Sequence, residues 1–434
     1  MNESSVSSTP LLAQVPPRLR SPDRQQVLCA TPIDGLLDSD HQARTVWDFC
    51  QGLDLAPLTD PIRSRHGRPG RAALDPRLGV ALWLYATLEG VGSARALATL
   101  CTHHNAYRWL CGGVSVNYHT PADFRTDHPQ FLDQLLTHSV AVLREQDLVD
   151  LNRVAIDGVR VRASAGAASF RRRASLEACL TEATVQVARL RKEREDDPAA
   201  STRRQAAARQ RAARERVERV QRALDRLPEL EAKKAVAERA EARCSTTDAR
   251  ATVMKMADGG FRPAYNVAFG AACGSLAIVA ADVTTRGSDQ GQMTPMLDQI
   301  HRRHGVFPRE VLVDGGFVQL VDLEQAGAAS RGCTVYAPVP QPKDATRDRY
   351  QPPATDIAVV GAWRVRMGTA AGREVYRDRA STIECVNAQA RNRGLLRLLV
   401  RGVEKVKSVA LWFAVAHNVG RRGRPAAPGD RGAG

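Results

Sequence analysis

Apolar positions along the chain change period three times. Between about Asp40 and Leu148 they recur every three to four residues in HQARTVWDFCQGL, PRLGVALWLYATLEGV, ARALATLCTHHNAYRWLC and PQFLDQLLTHSVAVLREQ, with Gly- and Pro-containing breaks between them. That spacing predicts amphipathic helices and an all-helical N-terminal unit. In NYHTPADFRTDH, Thr120 is the expected N-cap before Pro121, and the short helix that follows carries Arg125 and His128 as candidates for DNA contact.

From Leu151 the period shortens to that of a strand in VAIDGVRVRA, and a long Ala-, Arg- and Glu-rich segment follows. There Leu176, Leu180, Ala183, Val187 and Leu190 step by fours and threes, Pro198 interrupts, and Ala213, Val217, Val220, Leu224 and Leu227 resume the spacing ahead of Pro228. Two antiparallel coiled helices are expected, with the charges as solvated faces.

After Cys244, strand and helix signals alternate: YNVAFGA, SLAIVAADVT, a helix near QGQMTPMLDQIHRRH, EVLVD, a helix near VQLVDLEQAGAA, then TVYAPV. This order implies a mixed sheet flanked by helices, hence an α/β unit. The stretch from Pro340 to Arg373 reads as irregular, with Trp363 and Arg364 folding onto the sheet, and a last helical stretch is expected from about Ser381 to Asn418. The expected organisation is an arm over 1–24, a helical unit over 25–150, a first strand region over 151–170, a coiled insertion over 171–243, the rest of the α/β unit over 244–418, and a tail over 419–434. Arm and tail lack any sustained period and are rich in Ser, Pro, Arg or Gly, the composition of disordered segments.

Charge narrows the partners. Of 434 residues, 62 are Lys or Arg and 47 Asp or Glu, a formal net charge of +15, which makes a polyanion the first partner to consider and nucleic acid the best fit. No run reaches the eighteen apolar residues of a membrane span and no basic-then-apolar leader opens the chain, so a cytoplasmic location without membrane contact is expected. The nine cysteines are odd in number and lack paired C-x-x-C spacing, as in reduced cytosolic chains. Cys101, His103, His104, Cys111 and His119 cluster in sequence, but their spacing matches no usual structural zinc pattern.

Three carboxylates stand out. Cutting DNA with two divalent ions about 3.5–4 Å apart needs converging carboxylate oxygens. Asp157 follows Val154-Ala155-Ile156, where Asp-Gly would also suit a tight hairpin turn. Asp314 ends Val311-Leu312-Val313 ahead of Gly315-Gly316, at the carboxyl end of an expected parallel strand, a favoured ligand position that is also a good place for an Asp-Gly turn. Glu384 closes Ser381-x-x-Glu384, which by itself reads as a capping box. Tyr376 and Arg379 precede it and Arg391 follows by seven residues, placing a guanidinium on the same helix face. Between Asn387 and Asn418, the six basic residues Arg391, Arg393, Arg397, Arg401, Lys405 and Lys407 face one acidic residue, Glu404, a stripe suited to phosphates.

These strings closely resemble the DDE-class insertion-sequence transposases of bacteria with an InsH-like helical N-terminal domain. The resemblance rests on DHQARTVWDFCQGLDL, GRPGRAALDPR, ALWLYATLEGVGSAR, AYRWLCGG and VNYHTPADFR, then on RVAIDGVRVRASAGAASFRR, VMKMADGGFRPAYNVAF, ADVTTRGSDQGQMTPMLDQI, EVLVDGGF, YRDRASTIECVNAQARNRGL and VRGVEKVKSVALWFAVAHN. It implies a ribonuclease H-like catalytic core with Asp157, Asp314 and Glu384 as catalytic residues and ligands of two Mg²⁺ ions, for which Mn²⁺ can substitute. It also implies Tyr376, Arg379, Arg391, Arg393 and Arg125 on DNA, terminal inverted repeats and target DNA as partners, and a homodimer or larger assembly on DNA. The implied reaction is hydrolysis at the element ends followed by attack of the freed 3′-hydroxyl on target DNA. The competing readings are a nuclease of the same fold that cuts without joining, and a catalytically silent DNA-binding descendant of a transposase. The chain departs from many relatives by Arg391 in place of lysine and Ala268 in place of glutamine.

Overall fold

The computed structural model describes residues 32–62, 64, 72–196, 202–342, 344 and 346–421. The expected arm, residues 197–201 with Pro198, and most of the expected tail lie outside them.

The N-terminal helices are α1 (Gln42–Gln51), α2 (Ala56–Thr59), α3 (Pro76–Leu88), α4 (Ala94–His103), α5 (Asn105–Cys111), α6 (His119–Asp127) and α7 (Pro129–Glu145). Asp75 caps α3 through Arg77 N, with Pro76 in the first turn, and Ser93 caps α4. The continuous helix expected from Ala94 to Cys111 is instead two, because His104 turns extended and its ring caps α5. Helix α6 begins at His119, so Thr120 lies inside it and is not its N-cap.

The sheet is built from β1 (Arg153–Arg162), β4 (Thr252–Lys255), β5 (Phe261–Ala272), β6 (Ile278–Thr284), β7 (Glu310–Val313) and β8 (Thr334–Tyr336), while β2 (Phe170–Arg171) and β3 (Cys244–Ser245) pair separately. Strand β1 lies centrally, antiparallel to β5 on one edge and parallel to β7 on the other. Strand β8 continues parallel beyond β7, and β4 and β6 share the far edge of β5. Because β1 runs unbroken from Arg153 to Arg162, Asp157-Gly158 is not a hairpin turn.

Between β2 and β3 the chain leaves as α8 (Arg173–Asp196) and α9 (Arg203–Ala232), the expected pair of packed helices. Their shared seam is narrower than the sequence suggests: Leu176, Ala183, Ala213, Val220 and Leu227 are buried, whereas Leu180, Val187, Leu190, Val217 and Leu224 are only half-buried. Helix α9 also continues through Pro228 to Ala232. A small separate core of Leu176, Ala223, Leu227, Ala242 and Cys244 anchors its base.

The remaining helices are α10 (Met293–His304), α11 (Leu320–Gly327), α12 (Ala358–Gly368), α13 (Ala370–Arg379), α14 (Cys385–Asn392) and α15 (Val403–Val419). Left-handed Gly305 closes α10, and Gln299 on α10 bonds both the N–H and the carbonyl of Ala281 on β6. The stretch expected to be irregular contains α12 and the first turn of α13. Trp363 is buried and donates to Ala337 O at 3.1 Å, which pins α12 beside β8. The final helical stretch is broken between Arg393 and Gly402, and α15 is buried almost all round, as its apolar composition requires.

Helix α15 binds the two ends of the chain together. Asn418 bonds Ile278 on β6 and Ser139 on α7, and Trp412 donates to Arg125 O on α6. The N-terminal helices and the sheet therefore share one continuous apolar core. Among the described residues no helix is long and apolar enough to cross a membrane.

Candidate active site

The parallel register of β1 and β7 pairs Ile156 with Val313, so the next residues, Asp157 and Asp314, emerge beside each other where β7 ends and β1 runs on. Asp314 spends Oδ1 on its own turn, accepting from Gly316 N at 2.8 Å and Phe317 N at 3.2 Å, and among the described residues Oδ2 takes no donor. The local turn role and the position at a strand end are thus both real.

Asp157 is mostly buried. Burial pushes its carboxyl up to about 6; Arg379 opposes that rise, the charge of Asp314 adds to it, a bond from Gly158 N lowers it, and Asp289 raises it again. Its Oδ2 accepts from Asn387 Nδ2 at 3.1 Å and lies 3.2 Å from Arg379 Nη2.

Helices α13 and α14 are joined by a π-helical turn, Ala380–Glu384. The Ser381 capping box does not form, since there is no helix start to cap: Ser381 Oγ bonds back to Asp378 O. Glu384 is instead held by Arg379 Nη1 at 2.9 Å, its other oxygen without a donor among the described residues and its side chain 58 % exposed. One guanidinium thus joins a carboxylate of β1 to one of the late helix.

That helix is fixed to the sheet one residue earlier. Arg153 on β1 pairs with Glu310 on β7 at 2.6 Å and with Asp378, and Tyr336 on β8 donates to Glu310 at 3.0 Å. Tyr376, nearly one turn before Arg379, has its hydroxyl pKa raised by burial; Arg379 opposes this, and Asp314, Asp157 and Glu384 all add to it. All three carboxylates therefore lie within electrostatic reach of one phenol.

Among the described residues no group of three or more His, Cys, Asp or Glu side chains is already arranged to hold a metal ion. The donor set still suits a hard cation. The charge of Asp314 bears on the mostly buried Asp157, Asp314 and Glu384 each keep one oxygen without a donor among the described residues, and a guanidinium already sits between Asp157 and Glu384.

Of the expected DNA contacts, Arg391 is exposed on α14. Arg125 is not available to DNA: it is buried, lies over the Trp83 ring at 4.8 Å and donates to Gly92 O, tying α6 to the loop after α3, and burial holds its pKa down at about 10. Arg379 faces carboxylates, and Tyr376 lies beside them.

Three residues packed around Asp157 and Gly158 were not singled out from the sequence. Asn387 is three after Glu384 on one helix, a spacing that could have flagged it. Asn266 and Asp289 bond each other against the bare Cα of Gly158, and only the pairing of distant strands reveals them.

Residues 32–127 match the family model described as transposase domain (DUF772), and residues 330–422 match that of the transposase DDE domain. Neither a curated protein nor a solved structure matches the chain. With a transposase module at each end and paired carboxylates on the sheet, the protein is a DNA transposase. Its second match is to a domain of the DDE type, which marks an enzyme of metal-dependent DNA cleavage and strand transfer. Glu384 and the residues around it fall inside the second match, whereas Asp157 and Asp314 lie between the two.

Proposed function

We propose that Asp157, Asp314 and Glu384 form the catalytic triad of a ribonuclease H-like core that cuts element ends and joins them to target DNA. The observation that carries this is the link from Asp157 through Arg379 to Glu384, with Asp314 beside Asp157 in the register of β1 and β7. The strand order β6-β5-β1-β7-β8, with the first three antiparallel and the last two parallel to β1, supports the fold assignment. In this reading 151–170 and 244–418 form the catalytic unit, 171–243 is an insertion within it, and the helices before β1 recognise terminal repeats or dimerise.

Asp157, Asp314 and Glu384 would hold the Mg²⁺ ions, whose contribution when bound is to lower the cost of negative charge at the attacking and leaving oxygens. The chain's own groups do the rest. Asn387 and Gly158 N orient Asp157, the Gly316 and Phe317 amides fix Asp314, and the Arg153 clamp holds α13 against the sheet. Arg379 neutralises the carboxylates before DNA arrives, and exposed Arg391 meets a phosphate. Two ends must be held together, so the working assembly is at least a dimer on DNA.

The test is cleavage of duplex DNA carrying the sequences that flank the gene. Alanine at Asp157, Asp314 or Glu384 should abolish Mg²⁺-dependent cutting and leave DNA binding intact. Cutting retained by Asp157→Ala would overturn the assignment, and nicks without joined products would indicate a nuclease.

A further inference from the structure

The insertion and the N-terminal unit enclose a second basic site. A cleft of about 900 Å³ opens between α9, α6, the loop before β4 and the segment leading into α15. Its cations are Arg219, Arg222 and Arg226 from α9, Arg250, Arg401 and Lys405. Five carboxylates line it too, Asp123, Glu215, Asp225, Glu229 and Asp248: Asp248 accepts from the Tyr265 hydroxyl and the Gly402 amide, Asp225 accepts from Gln221, Glu215 lies 3.9 Å from Arg219, and Glu229 holds Lys233 at 2.7 Å with Arg226 and Arg250 in electrostatic reach.

Arg226 is the decisive residue. It is 7 % exposed, yet its Nε and Nη1 are buried with no hydrogen-bond partner. Among the described residues no carboxylate lies within 4.0 Å of Arg226, Arg250, Arg401 or Lys405. A guanidinium removed from water and left without an acceptor is unfavourable, and the fork it presents matches the paired oxygens of a phosphate. Neighbouring Ala223 and Leu227 belong to the small core at the base of the insertion, so the fork is rigidly placed.

We propose that this cleft binds the phosphodiester backbone of DNA, gripping the duplex away from the point of cleavage. The proposal rests on the transposase reading above. Tyr265, which holds Asp248 at the cleft, lies on β5 four residues from Phe269, the register partner of Asp157. Both face the same side of the sheet, and the separation is about 13 Å at strand rise, close to the rise of about four base pairs.

The test measures binding of the full-length protein to a labelled duplex of arbitrary sequence across a salt series. Arg226→Leu should melt no lower than wild type, because an unpaired buried charge is replaced by an apolar side chain. It should bind at least about tenfold more weakly, the usual scale for a missing charge-assisted bond. The slope of log affinity against log salt should fall by about 0.9 for each phosphate that is no longer neutralised. Should Arg226→Leu fail to fold, Arg250→Ala/Arg401→Ala on the rim carries the same expectation. Wild-type affinity and slope in the foldable variants would overturn the proposal while leaving Asp157-dependent cutting, and so the transposase reading, untouched. Loss of self-association with DNA affinity unchanged would also overturn it, by making the occupant an acidic segment of a second copy. A wild-type protein that binds no duplex would overturn both readings.

Discussion

Arg379 Nη2 lies 3.2 Å from Asp157 Oδ2, and the other arm of the same guanidinium holds Glu384 at 2.9 Å. The side chains of Arg379 and Asp157 are 10 % and 16 % exposed, so this is a shielded pair in which removal of one partner strands the other. Arg379→Ala should therefore lower single-turnover cleavage by about a hundredfold, the scale of a missing charged hydrogen bond. Arg379→Lys should recover only part of the rate, because a single ammonium cannot bridge two carboxylates as a planar fork does. Equal rates for Arg379→Lys and wild type would show that charge alone matters.

Gly158 and Gly315 each follow a candidate aspartate, yet they should respond differently to the same change. A methyl group at Gly158 would meet Asp289 Oδ1 at 2.3 Å and Asn266 Oδ1 at 2.6 Å, whereas one at Gly315 meets nothing within 4 Å. Gly158→Ala should cost about 1–3 kcal/mol by overpacking and displace Asp157 along with β1, while Gly315→Ala should be nearly neutral. Thermal melts and cleavage rates of the two variants check this, and matching melts would contradict the geometry.

That contrast marks how far the sequence could be read. Asp157-Gly158 and Asp314-Gly315 are alike as dipeptides, so local pattern could not separate a strand interior from a strand end. Periodicity did identify β1, β5, β6 and β7 and both insertion helices, because each buries a face with a fixed repeat. It missed α12, where Trp363 and Arg364 were expected merely to fold onto the sheet, because Pro352, Pro353 and several charges mask a short helix whose apolar side rests on β8. It also misread Ser381-x-x-Glu384, since a capping box assumes a helix start and the chain here passes straight through a π turn. Arg125 looked like a DNA contact because sequence gives charge but not burial, and Trp83, which covers it, lies on another helix. Asn387, Asn266 and Asp289 depend on contacts between distant segments and had no signal of comparable strength.

The insertion should be able to loosen without unfolding the sheet. Leu227 is fully buried, but in the small core with Leu176, Ala223, Ala242 and Cys244 rather than in the main one. Leu227→Ala should cost about 2–4 kcal/mol, expressed locally. Amide exchange should speed up across 173–232 and stay unchanged in β1 and β5. Uniform acceleration would mean that the two cores unfold as one unit.

His417 should make the protein acid-sensitive. It is 3 % exposed on α15, its Nε2 lies 2.8 Å from Leu276 O, and burial pushes its pKa down to about 3, the bond to Leu276 only partly opposing this. The folded value is thus below the ordinary 6.5, so between the two the unfolded chain binds the extra proton. The stability this residue contributes is complete above pH 6.5 and is lost as pH falls toward 3, at up to roughly 1.4 kcal/mol per pH unit. His417→Gln keeps a polar group near Leu276 without a proton to gain. It should be less stable than wild type at neutral pH but show a shallower loss between about pH 6 and pH 4 in chemical denaturation. Parallel pH profiles for the two proteins would locate the acid sensitivity elsewhere than at the contact between α15 and Leu276.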